Sequence, residues 1–353
     1  MVNQTKPFQI ADRKIGPNDS PYCIAEVGIN HNGDLGIAKR MIEAAKAAGA
    51  DAVKFQTFRA EEFCGDSEQT FTYKSQGKSV TESMLAMFKR YEFPPEHWFA
   101  IKAHCELVGI TFFSTPQNRS DLDLLLEVGV PAIKVGSDDF TNLPLLRSYV
   151  ESKLPLILSC GMSDLAEVHQ ALDAVGFFEG YPVALLLCTS QYPTPAEDVN
   201  INKLTTLQQA FPGLLVGFSD HTQGPLASAL AVSRGARVFE KHFTLDKGMP
   251  GPDHWFSEEP VGLSEWVTTI RTADMLLGSS FVRPTIAELV NKREFQRVIV
   301  AATEIKLGEP FTESNLTMRR EAGGQGLPPS MYWRLLGCKA WRDFSKFSPI
   351  KFS

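Results

Sequence analysis

Long apolar runs are missing: no stretch approaches the roughly 18 uninterrupted apolar residues of a membrane-spanning helix, and mean hydropathy is −0.11. Residues 1–17 lack a basic segment followed by an apolar one, so no export signal is expected. The six cysteines, at 23, 64, 105, 160, 188 and 338, form no CxxC pair. They are expected to be reduced thiols of a cytoplasmic protein. Positive charge is also short. With a net charge of −6 and a pI near 5.7, the chain has no general attraction to nucleic acid or to an acidic membrane. Any anion must be held by a local cluster. A nucleotide fingerprint is absent as well: GINHNGD (28–34) has neither GxGxxG nor Walker spacing, and it equally suits a tight strand-to-helix turn with Asp34 as helix cap.

What the chain does have is core-forming material, 43% hydrophobic residues in 353, which excludes disorder. That length allows two ordinary domains or one large barrel with an appendage. A repeated unit decides between them. Eight apolar, β-branched runs end in polar residues and lead into amphipathic segments: PYCIAEVGIN (21–30), ADAVKFQTF (50–58), GITFFSTP (109–116), PAIKVGS (131–137), PLILSCGM (155–162), VALLLCTS (183–190), LLVGFSDHT (214–222) and RVFEKHFT (237–244). Strand and helix alternating in this way predict an α/β protein with a parallel (β/α)8 barrel. Residues 59–93 are expected as a long loop over the barrel mouth, with a short helix near SVTESMLAMFKRYEF. The expected division is a barrel over 1–278, a linker over 279–293 and a small domain over 294–353. The last piece is short enough to have little core of its own.

In such a barrel the active site lies at the carboxyl ends of the strands, and polar residues collect there. Lys54 and Lys134, with the hydroxyls of Ser114, Thr115, Ser137, Ser159 and Ser219, form a ring suited to a phosphorylated anion. Hydroxyls at these positions also cap helices. Lysines inside apolar runs have less reason to be there without a function. His221 and His242 end the last two strands, where their imidazoles can converge on one ion near Glu26 and Asp253. Two imidazoles with oxygen ligands suit Mn²⁺ and leave positions for substrate. His31 and His254 flank the mouth without an assigned role.

The ordered set AEVGINHNGD, VKFQTF, FFSTP, IKVGS, ILSCGM, CTSQYPTP, GFSDHT, EKHFT and GPDHWFS resembles the sialic acid (nonulosonate) synthases, a group that includes spore-coat polysaccharide synthases. The tail after residue 286 resembles their antifreeze-like, or SAF, domain. The resemblance implies a transferase that condenses phosphoenolpyruvate with an N-acetylated hexosamine, giving a nine-carbon 2-keto acid and phosphate. The acceptor could be N-acetylmannosamine, its 6-phosphate or a 2,4-diacetamido trideoxy hexose. Lys54, Thr115, Lys134, Ser137, Ser159 and Ser219 would hold phosphoenolpyruvate. His221 and His242 would bind a divalent metal, Mn²⁺ with Mg²⁺ or Co²⁺ as alternatives. Glu26 would be catalytic, and Gln56, Asp139, Tyr192 and Asp253 would face the sugar. Arg320 matches an arginine that one subunit inserts into its partner's barrel, implying a domain-swapped homodimer. Asp139, Gln117, Ser190 and Cys160 depart from common family residues.

Two rivals follow from the same residues. One is a Schiff-base aldolase using Lys134 or Lys54 as nucleophile. The other is a noncatalytic carbohydrate-binding protein.

Overall fold

The computed structural model describes residues 8–66 and 68–352. These form two compact units, divided between Gly278 and Ser279.

In the first unit all eight expected runs become strands: β1 (Tyr22–Gly28), β2 (Ala52–Thr57), β3 (Thr111–Pro116), β4 (Ile133–Val135), β5 (Leu156–Ser159), β6 (Val183–Cys188), β7 (Leu215–Asp220) and β8 (Val238–His242). They pair in sequence order, each parallel to the next, and β8 closes on β1. A parallel strand covered by helices is apolar on both faces, which is why these runs are nearly continuous in Val, Ile, Leu and Phe. The intervening segments form the outer helices, from Leu35–Ala47 to Pro260–Leu277. Local chemistry sets their ends. The Asp34 side chain accepts from the Ile37 amide, Asp164 and Glu167 form a capping box, and Gly109 and Gly129 close helices in the left-handed conformation. An amino-terminal hairpin, Phe8–Ile10 with Arg13–Ile15, joins the same apolar core.

Residues 59–93 differ from the expected loop. They form a helix at Ala60–Phe63, an antiparallel hairpin of Thr70–Ser75 with Lys78–Ser83, and a helix at Met84–Tyr91. Threonine and aromatic residues alternate on the first hairpin strand, and Gly77, at φ +75°, makes the turn.

The second unit corrects two expectations. Part of the proposed linker is a helix, Ile286–Phe295, fixed by a Thr285/Glu288 capping box. The small piece also has its own core, in which Ile299, Ile305, Phe311, Leu335, Phe344 and Ile350 are buried around the antiparallel pair Arg297–Ala301 and Leu316–Arg320.

All six cysteines are free thiols, five of them buried. Among the described residues no helix is long and apolar enough to cross a membrane.

Strand alternation sorts the charged residues near the ends of β7 and β8. Asp220 and Lys241 face outward and form a buried ion pair of 3.1 Å beneath the helix Pro260–Leu277. Asp220 also accepts from Ser228 Oγ (2.6 Å) and Trp266 Nε1 (3.2 Å), and Lys241 donates to the carbonyls of Thr222 and Gly224. This pair therefore locks barrel to helix and does not enter the mouth. Asp220→Ala leaves the buried Lys241 ammonium with only Glu258, 3.9 Å away, as a carboxylate partner, and should cost about 3 kcal/mol of stability. A urea-unfolding midpoint that shifts by the equivalent of less than about 1 kcal/mol would contradict that role.

Candidate active site

The opposite alternation parity points into the barrel. Glu26, Lys54, Gln56, Thr115, Lys134, Ser159, Ser219, Glu240 and His242 lie within or at the carboxyl ends of their strands, and His221 follows β7 directly. All ten line one cavity of about 590 Å³.

Its floor is a charge network. Lys54 Nζ lies 2.8 Å from Glu26 Oε1 and 3.9 Å from Glu240 Oε2, and it donates to Thr115 Oγ1 at 3.0 Å. Lys134 Nζ donates to Ser159 Oγ at 2.7 Å and to the Val135 carbonyl at 2.9 Å, and sits 3.8 Å from Glu240 Oε1. Ser219 Oγ donates to Glu240 at 3.1 Å. Glu240 is thus the carboxylate common to both lysines. Burial opposes its ionisation, but Lys134 and Lys54 outweigh burial and hold it below the usual carboxylate range. Glu26 has the reverse balance: burial pushes its carboxyl up to about 7 despite Lys54, and Glu240 adds to the rise. Burial lowers Lys134, whereas the carboxylates of Glu26 and Glu240 keep Lys54 raised against the same penalty.

The other flank carries the imidazoles. The His221 and His242 rings are 5.4 Å apart, with the Tyr192 ring 4.1 Å from the first and 5.6 Å from the second. His221 Nδ1 is 2.7 Å from the Thr189 carbonyl oxygen, so it carries the proton and donates, leaving Nε2 as the basic nitrogen. His242 is held well below its usual pKa by burial first and then by His221 and the lysines, and its buried Nδ1 has no hydrogen-bond partner among the described residues.

Glu26, Gln56 and Asp253 converge around Gly28. A Cβ there would lie 3.3, 3.7 and 3.8 Å from their polar atoms, and the residue has φ +53°. Burial pushes the Asp253 carboxyl up to about 6. Ser137 also lines the cavity and accepts from the Gly161 amide at 3.0 Å. Gln117 and Ser190 line it too. Asp139 does not: it accepts from Asn142 Nδ2, and its neighbour Asp138 lines the cavity in its place. Arg320 belongs to the second unit, where it is exposed with its guanidinium 5.7 Å from the Phe295 ring centre. Cys160 is buried, with its thiol on the Leu186 carbonyl. The two unassigned histidines are structural. His31 stacks on Phe93 at 4.0 Å, and His254 bridges Thr244 and Asn32.

Residues 41–281 match the NeuB family model. The chain belongs to the NeuB family. N,N'-diacetyllegionaminic acid synthase of Legionella pneumophila is 38% identical over 94% of this chain and 93% of its own length. Human N-acetylneuraminate-9-phosphate synthase is 34% identical over 93% and 90%. Among solved structures, the N-acetylneuraminic acid synthetase of Leptospira borgpetersenii superposes with a TM-score of 0.73 at 31% identity, covering 84% of this chain and 99% of that one.

Within this NeuB-family barrel, sequence reasoning missed Glu240. It stands two residues before His242 on β8, so alternation places both on one face, and that spacing was the available signal. Phe71 and Tyr73 of the hairpin also line the cavity, and they were missed because they come from a segment read as loop. Gly161 was also overlooked. A Cβ there would meet Ser190 Oγ at 2.4 Å and Ser137 Oγ at 2.6 Å, so Gly161→Ala must displace both hydroxyls. The variant should stay folded, and its crystal structure should show the Ser137 and Ser190 side chains displaced from these positions. Unmoved hydroxyls would contradict this close packing.

Proposed function

We propose that the chain condenses phosphoenolpyruvate with the open-chain aldehyde of an N-acetylated hexosamine, forming a nine-carbon 2-keto sugar acid and releasing phosphate. The observation that carries this reading is the division of one cavity. Two buried lysines share a carboxylate on one flank, and two imidazoles converge on the other. The family relationship to sialic-type acid synthases supports it.

In this reading C3 of phosphoenolpyruvate bonds to the aldehyde carbon, positive charge develops at C2, water adds there, and the C–O bond to phosphate breaks. Lys54 and Lys134, with Thr115, Ser137, Ser159 and Ser219, bind the carboxylate and phosphate. Fixed ammonium groups and hydroxyls do so without reorganisation. Glu26, with its pKa near neutrality, either exchanges a proton or stabilises the charge at C2. Gln56, Tyr192 and Asp253 orient the sugar.

His221 and His242 fit a divalent ion, Mn²⁺ or alternatively Mg²⁺ or Co²⁺: one offers a basic Nε2 and the other an unpartnered buried nitrogen. Among the described residues no group of three or more His, Cys, Asp or Glu cages an ion, so substrate and water would complete the coordination. When bound, the ion supplies Lewis-acid polarisation of the aldehyde oxygen.

The second unit is read as the SAF-like domain, and the protein as a cytoplasmic homodimer in which Arg320 of one subunit reaches its partner's sugar site. The helix Ile286–Phe295 buries none of its side chains and exposes Ile286, Leu289 and Val290, which is consistent with a face that a second copy covers.

Chelator treatment should abolish phosphate release from phosphoenolpyruvate and N-acetylmannosamine or a related sugar, and Mn²⁺ should restore it. A borohydride-trapped lysine adduct with full activity in chelator would replace this reading with a Schiff-base aldolase. His242→Ala should stay folded, lose Mn²⁺ binding and lose at least a hundredfold in kcat; retained activity would contradict the assignment. Arg320→Ala should raise KM for the sugar about tenfold and leave that for phosphoenolpyruvate unchanged, and an unaltered sugar KM would remove its role.

A further inference from the structure

Asp253 enters the cavity from the loop between β8 and the helix Pro260–Leu277, so no strand fixes it. No hydrogen bond or ion pair from the described residues holds its carboxylate either. Where it points therefore depends on the loop backbone. One side of that backbone is fastened to the barrel: His254 bridges Thr244 and Asn32, and Ser257 Oγ donates to the Asp253 carbonyl at 2.6 Å while accepting from Asn30 Nδ2 at 3.0 Å. The other side is fastened to the hairpin. Gln76 Nε2 donates to the Gly248 carbonyl at 2.9 Å, Ser75 Oγ accepts from the Gly251 amide at 3.0 Å, and Lys74 Nζ sits 4.8 Å from the Trp255 ring centre. These hairpin contacts fall on both sides of Asp253 in the chain.

Among the described residues of the two hairpin strands, Ser75 alone is buried. A small hydroxyl adds little to an apolar core, and its loop partner is a backbone N–H that burial would otherwise leave unpaired. Gly251 has no room to turn that N–H elsewhere. It sits at φ +149°, and a Cβ there would meet His254 Cδ2 at 2.8 Å and Asn32 Oδ1 at 3.2 Å. Ser75 is itself held firmly. The adjoining Gln76 and Gly77 have φ +51° and +75°, the paired left-handed turn that matches strand twist. Behind them Tyr73 Oη donates to Glu82 at 2.6 Å, and Glu82 accepts from both terminal nitrogens of Arg90 at 2.6 Å. Ser75 does not line the cavity, so its hydroxyl serves the loop and not a substrate.

We infer that Ser75 is a positioning residue for Asp253. Through the Gly251 amide it sets the angle at which the carboxylate two residues later enters the cavity, and the hairpin is the strut that carries it there. The inference rests on the condensation proposed above and adds to it a residue outside the barrel strands that acts without touching substrate.

Ser75→Ala removes the acceptor and Ser75→Thr keeps it. Both are assayed in the full chain with Mn²⁺, alone and combined with Asp253→Ala, by phosphate release from phosphoenolpyruvate with N-acetylmannosamine or 2,4-diacetamido-2,4,6-trideoxymannose. Ser75→Ala should lower kcat/KM for the sugar about tenfold, since small displacements of a placed group are costly, and Ser75→Thr should recover most of it. The Kd of phosphoenolpyruvate should stay unchanged in calorimetry. Once Asp253 is replaced, Ser75→Ala should cost less than about twofold more, because a residue that acts through another is silent in its absence. Gln76 is exposed, and Gln76→Ala, which removes the neighbouring bond, should lose about threefold with the same dependence on Asp253. Crystals of Ser75→Ala should show the Asp253 carboxylate displaced by about 1 Å or more. Full activity of Ser75→Ala, an equal loss with and without Asp253, weakened phosphoenolpyruvate binding, or an unmoved carboxylate would overturn the inference. Should Ser75→Ala fail to fold, the Gln76→Ala pair decides by the same criterion. If the wild type releases no phosphate with either sugar, the condensation falls, and the position of Asp253 in the crystals still decides the inference.

Discussion

Two ammonium groups inside a barrel are tolerable only if something compensates them, and here Glu240 does so for both. Its two oxygens lie 3.8 and 3.9 Å from Lys134 and Lys54, distances that leave each lysine attracted yet not sealed in contact. An isolated buried ammonium would lose its proton. With Glu240 and Glu26 beside it, Lys54 stays raised against burial. Lys54 is therefore held charged before any substrate arrives, and an incoming anion meets that cation already in place.

The same compensation divides the site by function. Closed parallel strands supply the fixed charges, since side chains on a hydrogen-bonded barrel move little. The loops and hairpin beyond the strand ends supply Phe71, Tyr73, Trp255 and Asp253, which suits recognition of a variable partner molecule. Function at the strand ends and diversity in the loops is the usual economy of this fold. Asp220 and Lys241 show the complementary use of charge, since they face outward, meet each other and tie the barrel to its last helix.

Much of this was legible from residue order. The eight runs could be read because a parallel strand covered on both faces must be apolar along its length, and the polar residue that ends each run marks the mouth. Lys54, Lys134, His221 and His242 stood out as polar groups in places where packing alone has no need of them. Glu240 escaped because the strand Val238–His242 ends in three polar residues, and only strict application of the two-residue period separates the inward Glu240 and His242 from the outward Lys241. Asp139 went the other way. It lies beyond β4, where that period no longer governs, and the cavity takes Asp138. The hairpin was read as loop because its alternation is confined to Thr70–Tyr73 and its remaining residues are mostly polar. The core of the second unit was underestimated because its apolar residues come in short runs, such as Val298–Ala301, separated by turns.

The most direct test of the divided cavity is the anomalous-scattering map of crystals grown with Mn²⁺ and phosphoenolpyruvate. The account predicts one manganese peak between His221 and His242, with the phosphate or carboxylate of phosphoenolpyruvate within hydrogen-bond distance of Lys54 and Lys134. Manganese bound elsewhere, or phosphoenolpyruvate away from both lysines, would contradict it.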